Sequence, residues 1–233
     1  MTTFDPAWEA VHRQRDWGRY PPEENVRFLA RAFRGCDRAE TRILDLGCGA
    51  GSTTWLLARE GFSATAFDGS FTAAIKARNR IQKEGLAPVP ILQADASKLP
   101  FADESFNGII DSAAISANTT EGINLILGEC FRVLLPGGSL FSSGLFKIGM
   151  TGYATGERVE EHVFREITEG PLSHIGTIHF FDRKMIVEFL YIAGFTEISV
   201  DSLERTDLNG KVSVKYFIAQ SRKPQIPNER NQK

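Results

Sequence analysis

Three aspartates stand at or beside the ends of short apolar runs, each leading into a turn: Asp45 in Ile43-Leu44-Asp45-Leu46, Asp68 in Phe67-Asp68-Gly69-Ser70, and Asp95 in Gln93-Ala94-Asp95-Ala96. The first leads into Gly47-Cys48-Gly49-Ala50-Gly51. A glycine-rich turn between a strand and a helix lets backbone N–H groups approach a ligand closely. A dinucleotide loop places its third glycine three residues after the second; here that position is Ser52. Asp45, close to the loop, would repel a pyrophosphate and attract an ammonium group. The bland alternative is that Asp45 only caps the turn. Asp68, 17 residues beyond Gly51, can accept both hydroxyls of a ribose, although an N-cap role for the next helix fits this neighbourhood too. Asp95 can take an exocyclic amine, with the Ala96 N–H directed at the ring. Together they describe a phosphate-free, positively charged nucleoside ligand.

Candidates for the reacting side come from outside these runs. His174 and His179, in Ser173-His174-Ile175-Gly176-Thr177-Ile178-His179, are the candidate catalytic bases, since an imidazole near its ordinary pKa can take a hydroxyl proton; for each, a structural role is the competing reading. Trp17 and Tyr20 flank a turn and are placed to cover a ligand or to pack the first helix. Tyr20 is carried forward as a binding residue, and Arg19 as a partner for a carboxylate. His12 and His162 fall on predicted helices and read as structural. The histidines show no metal-ligand spacing, so no metal is expected.

The elements that must hold these residues alternate. Helices are predicted over 6–16 and 23–34, strands over 43–46, 64–67, 89–93, 106–110 and 139–143, and helices over 52–60, with Ser52 as its cap, 71–84 and 121–134. Strands apolar on both faces between helices imply a parallel sheet covered on each side. Residues 145–180 break the rhythm; Val159, Val163 and Ile167 at four-residue spacing predict a helix over 157–169. A helix over 182–193 and strands over 196–200 and 212–219, turned at Asn209-Gly210, finish the pattern with an antiparallel pair. The organisation read from this is one domain over 1–221, with an N-terminal helical cap over 1–40, an insertion or lid over 145–180, and a frayed tail over 222–233.

These motifs resemble the class I S-adenosylmethionine-dependent methyltransferases, small soluble enzymes of the type 11 kind. Residues 43–51 resemble the first motif of that family, Asp68 its ribose acid, and Asp95-Ala96 with Leu99-Pro100-Phe101 its adenine loop. Phe106 to Asp111 resembles the fourth motif, with Asn107 where Asp is common, and Arg132 to Gly138 the approach to the fifth strand. Asp111-Ser112-Ala113-Ala114 carries no N-methyltransferase proline-tyrosine signature. The resemblance implies an α/β doubly wound, mostly parallel seven-stranded sheet whose last strand runs antiparallel. It implies S-adenosylmethionine as cofactor and S-adenosylhomocysteine as product. The expected cofactor-binding set is Tyr20, Asp45, Gly47, Gly49, Gly51, Asp68, Gly69, Asp95, Ala96 and Asp111.

The expected acceptor is a small molecule. An RNA or protein acceptor, a nicotinamide-dependent reductase and a non-catalytic binding protein are the alternatives. The 233 residues suffice for a full core. A net charge of −2 without a basic run disfavours a nucleic-acid partner. No apolar run is long enough to span a bilayer, the opening residues lack a signal-peptide layout, and three cysteines without a CxxC pair suit a reducing cytoplasm. The oligomeric state is left open.

Overall fold

Residues 2–15 and 18–225 are described by a computed structural model; Trp17 lies outside them. At the centre is a seven-stranded sheet in the order β3-β2-β1-β4-β5-β10-β9. Its strands are β1 (Arg42–Leu46), β2 (Ser63–Asp68), β3 (Ile91–Gln93), β4 (Phe106–Ser112), β5 (Leu134–Phe146), β9 (Thr196–Asp207) and β10 (Val212–Arg222). The first five pair in parallel. β10 runs antiparallel to both its neighbours, so the reversed strand is the last in the chain and second from the edge. β1 is central, and Ile43, Leu44 and Leu46 are fully buried because helices cover both of its faces. β3 is an edge strand of three residues, shorter than the predicted run; Pro90 lies just before it and contributes its carbonyl to the Ala66 N–H.

The helices are α1 (Ala7–Gln14), α2 (Glu23–Ala32), α3 (Ser52–Arg59), α4 (Phe71–Lys83), α5 (Thr120–Val133) and α6 (Arg183–Ile192). One face of the sheet packs on α5 and α6 through Ile123, Ile126, Leu127, Cys130, Ile186 and Leu190. On the other face Phe28 of α2 stacks on Phe141 of β5, centroids 4.4 Å apart. α4 presents Ala73, Ala74 and Ala77 inward. That small surface lets it approach the glycine loop, where a Cβ on Gly51 would fall 2.9 Å from that of Ala77. α3 begins differently from the expectation: Gly51 in the left-handed conformation occupies the N-cap position and Ser52 is the first helical residue. α4 is capped by Ser70, whose side chain accepts the Ala73 N–H.

Residues 157–169 are not a helix. They contribute β6 (Glu157–Glu160) and β7 (Val163–Arg165), which join β8 (Ile178–His179) in a small antiparallel sheet. Four-residue spacing suits a helix, but a tight turn can produce it as well. His162 takes a left-handed φ of 62° at that turn. Gly156 permits the close approach, since a Cβ there would sit 2.2 Å from the Arg165 carbonyl oxygen. The chain also stays ordered past the expected tail boundary. β10 includes Arg222, and the Lys223 N–H donates to the Gly138 carbonyl while its own carbonyl accepts from Gly137.

Candidate functional site

A cleft of about 890 Å³, its open mouth included, lies at the carboxyl ends of β1, β2 and β4, the edge at which open parallel sheets take ligands. Its floor is the glycine loop and the short 3₁₀ turn η1 (Ile115–Ala117) after β4; its roof is α1 with the residues before it, and the insertion closes one side. Gly47 and Gly49 line it, both with positive φ. A Cβ at Gly47 would meet the Ala114 Cβ at 2.4 Å, so glycine is required there for the loop to pass η1.

The Gly49 N–H does not point into open space for a phosphate. It donates to Asp68 Oδ2 at 2.8 Å, while Asp68 Oδ1 accepts the Ser70 N–H at 2.8 Å. Asp68 is only 8% exposed, yet it lines the cleft. Burial pushes its carboxyl above the usual carboxylate range, opposed by those two N–H groups and by His12. A pyrophosphate here would meet a carboxylate at the place where a dinucleotide loop offers free N–H groups. A ligand with ribose hydroxyls and positive charge would meet acceptors.

Of the other expected binding residues, Gly69 and Ala96 also line the cleft. Gly51 does not; it serves the α3–α4 packing. Asp45 lies beneath the loop, buried, and accepts the Thr54 hydroxyl at 2.6 Å. Burial lifts its carboxyl to about 7; the Thr54 bond opposes the rise, and the Asp68 and Asp111 carboxylates add to it. Asp111 is fully buried and accepts the Ala114 N–H at 2.8 Å, the Ile115 N–H at 3.2 Å and the Ser142 hydroxyl. It therefore holds η1 in place, and burial raises its carboxyl to about 7 as well. Asp95 lies outside the lining, its carboxylate engaged by Thr2, Thr3, Phe4 and Ser97.

Three candidates stand apart from the cleft. Tyr20 is 72% exposed, with the Arg19 guanidinium 5.8 Å from its ring centre. His174 is exposed, with a left-handed φ of 56° and its N–H donated to the Ile167 carbonyl. His179 is fully buried and stacked on Phe181 at 4.5 Å, and burial lowers its pKa to about 4. Neither histidine lines the cleft.

His12, expected to be structural, does line the cleft. It is 4% exposed, its buried Nδ1 has no partner among the described residues, and its Cε1 would stand 3.6 Å from a Cβ at Gly49. Burial lowers its pKa, and the nearby Asp68 and Glu9 carboxylates act the other way. The signal in the sequence is its position four residues after Trp8 on the inward stripe of α1; Trp8 lines the cleft too. Asn107, where the family commonly has Asp, accepts the Arg42 N–H at 2.9 Å and so ties β4 to β1.

Comparison with known proteins agrees with this geometry. The profile of a family described as methyltransferase domain matches residues 43–138. An uncharacterized protein of Haemophilus influenzae is 28% identical over 174 residues, covering 74% of this chain and 65% of its own length. The demethylmenaquinone methyltransferase of Thermus thermophilus is 34% identical over 138 residues, covering 58% of this chain and 59% of its own. Each match thus spans less than two thirds of the relative's own length. An S-adenosylmethionine-dependent methyltransferase of Methanosarcina mazei has the same fold with a TM-score of 0.67 at 25% identity, covering 81% of this chain and 94% of that one. The sheet order and the carboxylate-tied loop place the chain among the Rossmann-like α/β proteins. Within them, residues 43–138 match the methyltransferase-domain family, and the chain is similar to S-adenosylmethionine-dependent methyltransferases.

Proposed function

We propose that the cleft binds S-adenosylmethionine and serves methyl transfer to a small, largely apolar acceptor. The observation that carries this reading is the Gly49 N–H given to Asp68 within the cleft wall. It leaves a carboxylate where a phosphate ligand would need a donor. Asp68 would accept the ribose hydroxyls, the Ala96 N–H and Gly69 would border the base, and Gly47, Gly49 and His12 would flank the amino-acid end. The carboxyls of Asp68 and Asp111 lie close enough to Asp45 to raise its pKa, and the ionised forms of such a group favour a cation.

The cofactor supplies an electrophilic methyl on a positively charged sulfur. The remaining work for the chain is alignment and exclusion of water. Between η1 and the insertion the lining is Ala114, Ala117, Asn118, Phe146, Leu172, Ile175 and Ile178, without an ionisable side chain. That wall suits an apolar or aromatic acceptor whose nucleophile reacts without a base from this wall. The Thermus relative, named for demethylmenaquinone, supports a small-molecule acceptor.

Calorimetric titration with S-adenosylmethionine, S-adenosylhomocysteine and NAD tests the reading. The first two should bind and NAD should give no heat. NAD binding without heat from either sulfur ligand would overturn it.

A further inference from the structure

The family resemblance assigns Asp95 to the adenine amine, yet its carboxylate is already saturated. Its two oxygens accept the Thr3 N–H at 2.8 Å, the Thr3 hydroxyl at 2.7 Å, the Phe4 N–H at 3.2 Å and the Thr2 hydroxyl. The Ser97 N–H, at 2.8 Å, and the Ser97 hydroxyl complete the set. An amine could enter only by displacing one of these donors. The carboxylate also stands behind the cleft wall, whereas Thr3, Phe4, Ala94 and Ala96 form it.

The segment held by Asp95 crosses the cleft. The Phe4 ring sits directly on Gly69, where a Cβ would fall 2.1 Å from the ring Cδ2. Gly69 has no positive φ, so glycine is required there by the ring and not by the backbone. One residue on, Asp5 turns to the opposite side: its Oδ2 accepts the Thr177 N–H at 2.8 Å and the Thr177 hydroxyl at 2.9 Å. Gly176 makes room for it, since a Cβ would meet Asp5 Oδ2 at 2.7 Å. Residues 2–5 are therefore fastened to the ends of β2 and β3 on one side and to the insertion on the other.

We infer that Asp95 is a positioning residue: it pins residues 2–4 as a strap over the adenosine half of the cleft, Thr3 and Phe4 make the contacts with the ligand, and the strap must unseat for the ligand to exchange. This rests on the cofactor reading above. Asp95 would be a lasting pin. Burial alone would raise its carboxyl, but the hydrogen bonds from Ser97, Thr2 and Thr3 outweigh burial and hold it well below the usual range. It stays ionised at any working pH, so the strap opens by exchanging hydrogen bonds with water and not by protonation.

The test compares S-adenosylhomocysteine with S-inosylhomocysteine, in which a carbonyl replaces the adenine amine. Dissociation constants and release rates are measured for the wild type, Asp95→Asn, the double variant Thr2→Ala/Thr3→Ala, Phe4→Ala and the conservative Thr3→Ser. A strap predicts that Asp95→Asn and the threonine double variant weaken both ligands by the same factor, about tenfold for loss of one to two net hydrogen bonds. Phe4→Ala, which loses the ring over Gly69 and keeps its backbone bond, should also weaken both ligands equally. Release should quicken in these three, the adenosyl-to-inosyl preference should not change, and Thr3→Ser, which keeps the hydroxyl, should retain wild-type values. The threonine substitutions touch no core residue, so they remain readable even if Asp95→Asn folds poorly. The proposal is overturned if Asp95→Asn alone erodes the adenosyl preference while the strap variants bind and release as the wild type does. A wild type that binds neither ligand would remove the cofactor reading, and this one with it; normal strap variants would remove only this one.

Discussion

Asp68→Asn is the most informative single change in the cleft. Both carboxylate oxygens accept a backbone N–H at 2.8 Å, one from Gly49 and one from Ser70. In either orientation the amide sets its NH₂ against one of those N–H groups. One nearly buried donor is thus left without an acceptor, at a cost of about 1–3 kcal/mol in stability. The effect on binding is separate. Two ribose hydroxyls donated to a charged acceptor contribute about 1.5 kcal/mol each at the low end. The amide keeps one uncharged acceptor oxygen, so S-adenosylhomocysteine weakens by between about tenfold, for one such bond, and roughly 150-fold, for both. Calorimetry with this ligand and its 2′-deoxy analogue resolves the two effects as a double-mutant cycle. The wild type should bind the deoxy ligand about tenfold more weakly, and that penalty should nearly vanish in Asp68→Asn. An equal deoxy penalty in both proteins would show that Asp68 supports the loop and never meets the ribose.

Two further outcomes follow from the buried groups. The carboxyls of Asp45 and Asp111 are raised from an ordinary value near 3.8 to about 7, so between about pH 4 and 7 the unfolded chain has lost protons that the folded chain keeps. Stability from these two groups is full below about pH 4 and is lost as the pH rises towards 7. A cationic ligand favours the ionised forms, so S-adenosylmethionine should bind more tightly at pH 8 than at pH 6 and release protons, as calorimetry in buffers of different ionisation enthalpy will show; flat affinity without proton release would refute the coupling. Gly47→Ala forces a Cβ to 2.4 Å from that of Ala114 at a φ of +66°, which should cost about 2–4 kcal/mol of strain and overpacking. Urea unfolding measures it, and wild-type stability would mean that η1 moves aside freely.

The sheet was readable from the sequence because its central strands are apolar on both faces and its turns carry glycine at positive φ. Ile43 to Leu46 and Gly47 to Gly51 combine both signals within nine residues. The carboxylates at the strand ends were readable as a group, but their individual partners were not. Asp45 meets Thr54, Asp111 holds η1, and Asp95 holds residues 2–4, because each is placed by a neighbour distant in sequence or by a turn that spacing does not encode. The roof was the least legible part. His12 and Phe4 enter the cleft only through the docking of α1, fixed by bonds such as those from Ser70 and Thr72 to Glu9. Between residues 157 and 169 a four-residue spacing was common to a helix and a hairpin, and the turn at His162 decided the outcome.

The position of β10 also orders events during synthesis. Among the described residues β9 pairs with β10 alone, and β10 lies between β9 and β5. On the ribosome, β9 therefore emerges before it has a partner, and β5 keeps an open edge until β10 arrives. Residues 139–146 must wait for residues 216–222, a long loop to close. In that interval the nascent chain exposes an apolar strand edge of the kind that recruits other chains. The sheet is then completed from within, by β10 pairing with β5 on one side and bringing β9 in on the other.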